Sequence, residues 1–528
     1  MARTFCMLVV GLALQTGIFP SSAVAQDSGD KQLGAVHFET SCNEVAQRRF
    51  DRAMRYQHSF WYRQSQEIFE EALKADPKCA IAHWGVALSL LYNPHAPPPT
   101  ENLPLGLAAL QKGKALGAAT QRETDYIDAL LVFYTDHDKI DHRTRVLAYL
   151  KAIEALAQRY PKDDEAQIAY AITLNVAASP ADKTYANQLK GAAILNPILE
   201  RQPRHPGVTH YLIHLHDYPP IAAKGLDAAK RYAEIAPAAP HAQHMPSHIF
   251  TRVGYWKESI SSNLASAQAA KADKEWDDQM HGQDYLVYAY LQLADDKNAR
   301  AVADEMAAVV GYKRFAGFYA SAASTARYLV ERGDWKGAAE LQVRPTQFAY
   351  VDAITHFARA LGAARSGKPE AAKADVIKLA ELRDKLRDAK DAYWSEVVDI
   401  QRQVGAAWVL HAEGKHSEAL NAMGGAADAE DKTEKHPVTP GPLAPARELH
   451  AAMLLERGMA KEALVAFEAT MAKEPNRYNA IAGAAQAAEL LGDGAKAKAY
   501  YGQLVTLTGG TNADRRELAA ARQFLAKN

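Results

Sequence analysis

The chain has 528 residues, with 61 Lys and Arg set against 62 Asp and Glu for a formal net charge of −1. Balanced, interspersed charge excludes the basic footprint of a nucleic-acid-binding surface and a polybasic membrane contact, and leaves small molecules, metals, peptides and proteins as partners. The length exceeds what one compact core usually holds, so several domains or an elongated solenoid are expected.

The N-terminus reads as an address. A short basic region at 1–3, an apolar run over 4–19 and Ala23-Val24-Ala25 before Gln26 have the order of a cleavable secretory signal peptide over 1–25. A linker over 26–42 follows. No later stretch approaches the roughly 20 apolar residues of a spanning helix, so a soluble periplasmic or secreted protein is expected. Cys6 would leave with the signal peptide, and Cys42 and Cys79 would remain. An even pair in an oxidising compartment reads as a disulfide; two thiols on a metal ion are the alternative.

Internal repetition decides the architecture. Phe69, Ala72 and the Asp76-Pro77 stop lead into Ala80-Ile-Ala82-His-Trp84-Gly-Val-Ala87, an aromatic–small–proline pattern followed by a new helix. The turns Val253-Gly254-Tyr255-Trp256, Arg332-Gly333-Asp334-Trp335, Glu413-Gly414-Lys415-His416 and Leu491-Gly492-Asp493-Gly494 repeat one form, and Gly458 precedes Gly492 by one period. These features resemble the tetratricopeptide repeat (TPR), in which two antiparallel helices pack through small residues. The expected fold is therefore all-α, a TPR-like α-solenoid of roughly eight to ten antiparallel hairpins. Hairpins are expected over 43–200, 201–300, 301–427 and 444–528, interrupted by a Pro-rich insert near 93–105 and a Pro/Gly-rich loop over 428–443. Each interruption folds over the solenoid or is slack.

Seven of the nineteen histidines lie between His205 and His248. A 34-residue shift carries Pro203 onto Pro237, His210 onto His244 and His214 onto His248, and within each pair the spacing of four puts both imidazoles on one helical face. If Pro203 and Pro237 close their repeats, new helices begin at Pro206 and Pro240, where proline suits a helix start. Pro246 then falls inside a helix, removes one hydrogen bond and kinks the backbone. In TPR proteins positions 2, 5 and 9 of the first helix line the concave groove. By resemblance those positions are His210 and His214; His241, His244 and His248; and His281, Asp284 and Tyr288. His205 reads as a helix-start residue and His216 as solvent-facing. His58, in an aromatic turn, faces the groove or packs. Tyr211, Tyr285, Tyr288 and Tyr290 form an aromatic wall or serve as core.

Neutral imidazoles beside a carboxylate suit a transition metal, and an exported protein meets copper and zinc first; an anion or peptide-carboxylate site and hydrogen-bonded core histidines are the alternatives. The expected ligand set is His210, His214, His241, His244, His248, His281 and Asp284, with His58, Tyr211 and Tyr288 in the groove. His241-Ala-Gln-His244 and His244-Met-Pro-Ser-His248 lack the glutamate of a zinc-protease motif. The pattern also resembles exported bacterial TPR proteins that combine His58-Ser59-Phe60, a Cys-containing first repeat, His241/His244/His248 and Arg252-Val-Gly254-Tyr-Trp256; that resemblance implies fold and compartment and leaves the chemistry open. Three functions fit: a scaffold with a metal-loaded groove binding protein or peptide, a metal-dependent enzyme acting on a small molecule or peptide, and a metal-free interaction module.

Overall fold

A computed structural model describes residues 1, 31–509, 511 and 513–527. The signal peptide expected over 1–25 falls, beyond its first residue, outside the described residues. Among them the chain is all-α, a TPR-like solenoid of antiparallel hairpins. It begins with Glu44–His58 against Tyr62–Ala75 and ends with Tyr478–Leu490 against Gly494–Thr508, followed by Arg516–Lys527. Pairing in chain order gives twelve hairpins, more than the eight to ten expected, because several lack the Gly-x-Trp turn by which repeats are recognised.

Local chemistry sets the helix ends. Asn43, Asp163 and Asp493 stand at N-caps, their side-chain oxygens accepting from Ala46, Ala166 and Lys496 backbone N–H groups, which satisfies donors that a helix start otherwise leaves orphaned. Successive hairpins then pack by an aromatic ring seated on a glycine. A Cβ added to Gly85 would lie 2.4 Å from the Phe69 ring, and one added to Gly483 would lie 2.2 Å from the Phe467 ring. Both pairs are sixteen residues apart, so the first and penultimate repeats use the same contact.

Of the stretch expected as a linker over 26–42, the described residues from 31 onward pack into the fold. Leu33, Val36 and Phe38 are buried, and Phe38 packs on Phe50, Trp84 and Tyr126. Cys42 and Cys79 form a disulfide with Cα atoms 4.9 Å apart, tying this segment to the second hairpin, and neither belongs to a group of metal-ligating side chains. No described helix is long and apolar enough to cross a membrane.

Helices begin at Pro206 and Pro240, and the second is divided at Met245 into Pro240–His244 and Pro246–Arg252. The solenoid turns back on itself. Gly254 takes φ +71° in the Arg-x-Gly-x-Trp turn, and a Cβ there would meet the Pro475 carbonyl at 2.4 Å. Trp256 Nε1 donates to Asn476 O at 2.8 Å, and Asn476 Nδ2 donates to Gly254 O at 3.1 Å. That turn thus both closes its own hairpin and docks the last one.

Candidate metal centre

Six imidazoles converge where the hairpins beginning at Pro206, Pro240 and Trp276 stack. His210, His214 and His241 form one group, and His244, His248 and His281 another; within each group one nitrogen per ring lies within 4.8 Å of the others. The groups adjoin, with the His214 and His248 rings 5.9 Å apart and the His241 and His244 rings 6.1 Å apart. Five of the six are buried, and His241 is partly covered.

The tautomers follow from the outer hydrogen bonds. His210 Nδ1 lies 2.7 Å from the His58 carbonyl, which only accepts, so Nδ1 carries the proton and Nε2 presents a lone pair. Asn263 donates its amide to Ser259 O at 2.7 Å, which turns its Oδ1 toward His244 Nδ1 at 2.6 Å. His248 Nδ1 donates to the Asp217 carboxylate at 2.9 Å. His244 and His248 therefore point unprotonated Nε2 atoms at each other across 2.9 Å. Two lone pairs so placed repel unless a cation lies between or beside them. In the first group His210 Nε2 is 3.1 Å from His214 Nε2 and 3.2 Å from His241 Nε2. Nitrogens bound at about 2.0–2.1 Å around a tetrahedral ion stand about 3.3–3.4 Å apart, close to the 3.1 and 3.2 Å separations in the first group and somewhat wider than the 2.9 Å between His244 and His248.

Burial pushes all six imidazoles below the ordinary histidine value, His210 to about 3. Taking a charge out of water disfavours the protonated form and leaves neutral imidazoles with a lone pair able to ligate. The orienting carboxylate is the opposite case. Burial alone would raise Asp217, but Lys435, Arg252 and His248 surround it and hold it well below the usual carboxylate range. Arg252 Nε donates to its Oδ1 at 2.8 Å and Lys435 Nζ to its Oδ2 at 2.7 Å. Such carboxylate–histidine pairs fix ring orientation and raise ligand basicity.

A third group, His58, Glu165 and His205, is chemically different. His205 accepts from Val208 N–H through Nδ1 and donates through Nε2 to Glu165 at 2.8 Å. His58 donates to the other oxygen at 3.0 Å and has Tyr211 Oη at 3.0 Å from its Nδ1. Every lone pair and proton has a partner without an ion, so this is a hydrogen-bonded clamp. Burial would raise Glu165, and the His58 and His205 rings overcome it and hold the carboxylate low.

The expected residues are thus partly assembled and partly dispersed. His205 is indeed a helix N-cap, its ring also bound into the clamp. His216, expected in solvent, is 5 % exposed, because the 3₁₀ turn Pro219–Gly225 folds against it. His58 and Tyr211 belong to the clamp, although the His58 carbonyl orients His210. Asp284 does not join the imidazoles: it accepts from Ser324 Oγ at 3.3 Å and lies 3.9 Å from Arg327. Tyr288 binds Glu474 and Arg477 at the far junction. The helix carrying them starts at Trp276, and its face toward the site is His281 with Tyr285, whose ring lies 4.8 Å from His244 and 5.2 Å from His248.

Other contributors were not singled out. Phe60, at φ +58°, lays its ring 4.3 Å from His210, 5.0 Å from His241 and 5.7 Å from His214. Asp217, Asn263 and Lys435 orient the second group. Arg252, quoted within the Arg-x-Gly-x-Trp turn, was the available pointer to Asp217.

No family model and no curated protein matches the chain. Among solved structures it is similar to the APC/C hetero-tetramer Cut9–Hcn1, at 10 % identity over 92 % of this chain and 95 % of that one, with a TM-score of 0.30. It is similar to yeast Tom70 at 11 % identity over 91 % and 88 %, TM-score 0.30. The P58(IPK) TPR domain aligns at 11 % identity over 92 % and 99 %, TM-score 0.21. Likeness at this level assigns neither family nor function.

Proposed function

We propose that this chain is an exported metalloprotein holding two neighbouring transition-metal ions, copper or zinc, one at each group of three histidines, and acting on a small molecule at an exchangeable metal position. The observation that carries the reading is the pair of facing Nε2 atoms of His244 and His248, whose protons are committed outward to Asn263 and Asp217. An all-imidazole set suits these metals, and an ion with three protein ligands keeps a position where water or dioxygen is activated.

The size of the ligand follows from what covers the site. Tyr285 Oη donates to Thr439 O and Arg327 to Pro442 O, while Lys435 reaches Asp217 and Glu434 meets Lys183 and Tyr185. The helix His416–Asp431 runs into the insert expected over 428–443, and the loop that follows it, as far as the helix Ala446–Glu456, therefore reaches several hairpins around the site, which favours a small molecule over a folded protein or peptide in the groove. The 1–25 segment and the Cys42–Cys79 disulfide support export into an oxidising compartment.

A proton shared between His244 and His248 is the rival way to hold that pair; burial opposes it. Elemental analysis of the purified protein and of a His244→Ala/His248→Ala variant separates the two. The expected result is two ions per wild-type chain and one per variant. Equal metal content, or none in either, removes the proposal.

A further inference from the structure

Outside the two groups, one imidazole near the centre has no assigned partner. His95 lies on the Pro-rich insert, where its backbone N–H is held by Asn93 Oδ1 at 3.0 Å. Its ring centroid is 4.4 Å from that of His214, against 4.9 Å between the His210 and His214 rings. Its nitrogens stand outside the 4.8 Å cluster made by His210, His214 and His241, so that ligation needs a small inward shift of the insert. Its Nε2 is shielded from solvent and makes no hydrogen bond. A buried imidazole nitrogen without a partner is destabilising, and an insert that only filled space would not need histidine there.

Building on the metal reading above, we infer that His95 is the fourth ligand of the first ion, so that the 93–105 insert closes the His210/His214/His241 site while the His244/His248/His281 site stays open. The pair is then asymmetric. A tetrahedral ion with four protein ligands has no position for substrate, and one with three does, so substrate exchange belongs to the second ion, beside Asp217 and Tyr285. Phe60 supports this division: its ring packs on the three imidazoles of the first group alone and helps exclude water from that ion. Loading of the first ion also fastens the insert, because its ligand sits between Asn93 and the prolines 97–99.

The test uses Co²⁺ as probe in the apo full-length chain, followed by visible absorbance. Wild type is expected to bind two ions with distinguishable spectra. His95→Ala is expected to weaken one ion at least tenfold and shift its absorbance from the pattern of four nitrogens, leaving the other ion unchanged, and millimolar imidazole should restore the lost signal. Rescue by free imidazole is a readout that a merely packing role would not give. His95→Gln, which keeps bulk and polarity, should behave like His95→Ala if ligation matters and like wild type if packing does. Two ions bound by both variants with wild-type affinity and spectra would overturn the inference and leave the metal reading standing; no Co²⁺ bound by wild type would overturn both.

Discussion

Asp217 shows what a single residue does for the centre. It accepts from His248, Arg252 and Lys435 while 6 % exposed, so it orients the His248 ring and pairs with two buried cations. Burial pushes Lys435 down to about 8, and Asp217 is the main influence opposing that. Asp217→Asn keeps the shape and removes the charge. Breaking a buried pair by removing one partner costs about 3–5 kcal/mol, and losing a carboxylate behind a ligating histidine costs about 10–100-fold in metal affinity. The expected outcome is a urea midpoint lowered by that stability loss, together with weaker binding at one ion only in a chelator competition. Unchanged affinity would place Asp217 outside the centre. The sequence marks this aspartate only indirectly, through Arg252 in the Arg-x-Gly-x-Trp turn, since it follows His216 at a helix end and belongs to no repeat position.

At the scale of elements, the 34-residue repeat made the histidine pairs and the helix starts at Pro206 and Pro240 legible, because hairpin stacking converts sequence period into spatial adjacency. The same extrapolation misplaced Asp284 and Tyr288. From His281, a step of three turns Asp284 toward Phe315–Glu331, and two helical turns carry Tyr288 past the imidazoles to Arg477. The two inserts are legible from their prolines, but which of their residues reach the site is not: His95 and Lys435 have no periodic equivalent, so only the folded chain brings them there. Glycines test the packing rule itself. Alanine in place of Gly483 gains about 1 kcal/mol of helix propensity, yet its Cβ would meet Phe467 at 2.2 Å, and overpacking costs about 1–3 kcal/mol. Gly425, with nothing within 4 Å of an added Cβ, has only the gain. Thermal melts should show Gly483→Ala lowered and Gly425→Ala raised; equal shifts would contradict ring-on-glycine packing.

The whole molecule is a solenoid bent until distant repeats touch. Trp256 meets Asn476, and Arg477 joins Glu331, Glu448 and Tyr288 in a buried junction. Glu434 and Lys435 from the long insert bridge back to Lys183 and Asp217. Curvature of this kind brings the loops over 91–101 and 432–445 to one centre, although more than three hundred residues separate them. Each is shorter at one end than the inserts expected over 93–105 and 428–443, because helices begin at Asn102 and end at Asp431. The overall class was readable from small residues, prolines and turns. The closure was not, because its contacts rest on single polar side chains that carry no pattern.

The central claim is that this curved scaffold holds a pair of metal ions among six converging histidines. Anomalous X-ray diffraction from crystals of the metal-loaded chain, recorded above and below the absorption edge of the ion found by elemental analysis, tests it most directly. Two peaks are predicted, one within bonding distance of His210, His214 and His241 and the other of His244, His248 and His281. A map with no peak among these imidazoles, at full occupancy of the protein, would contradict the account.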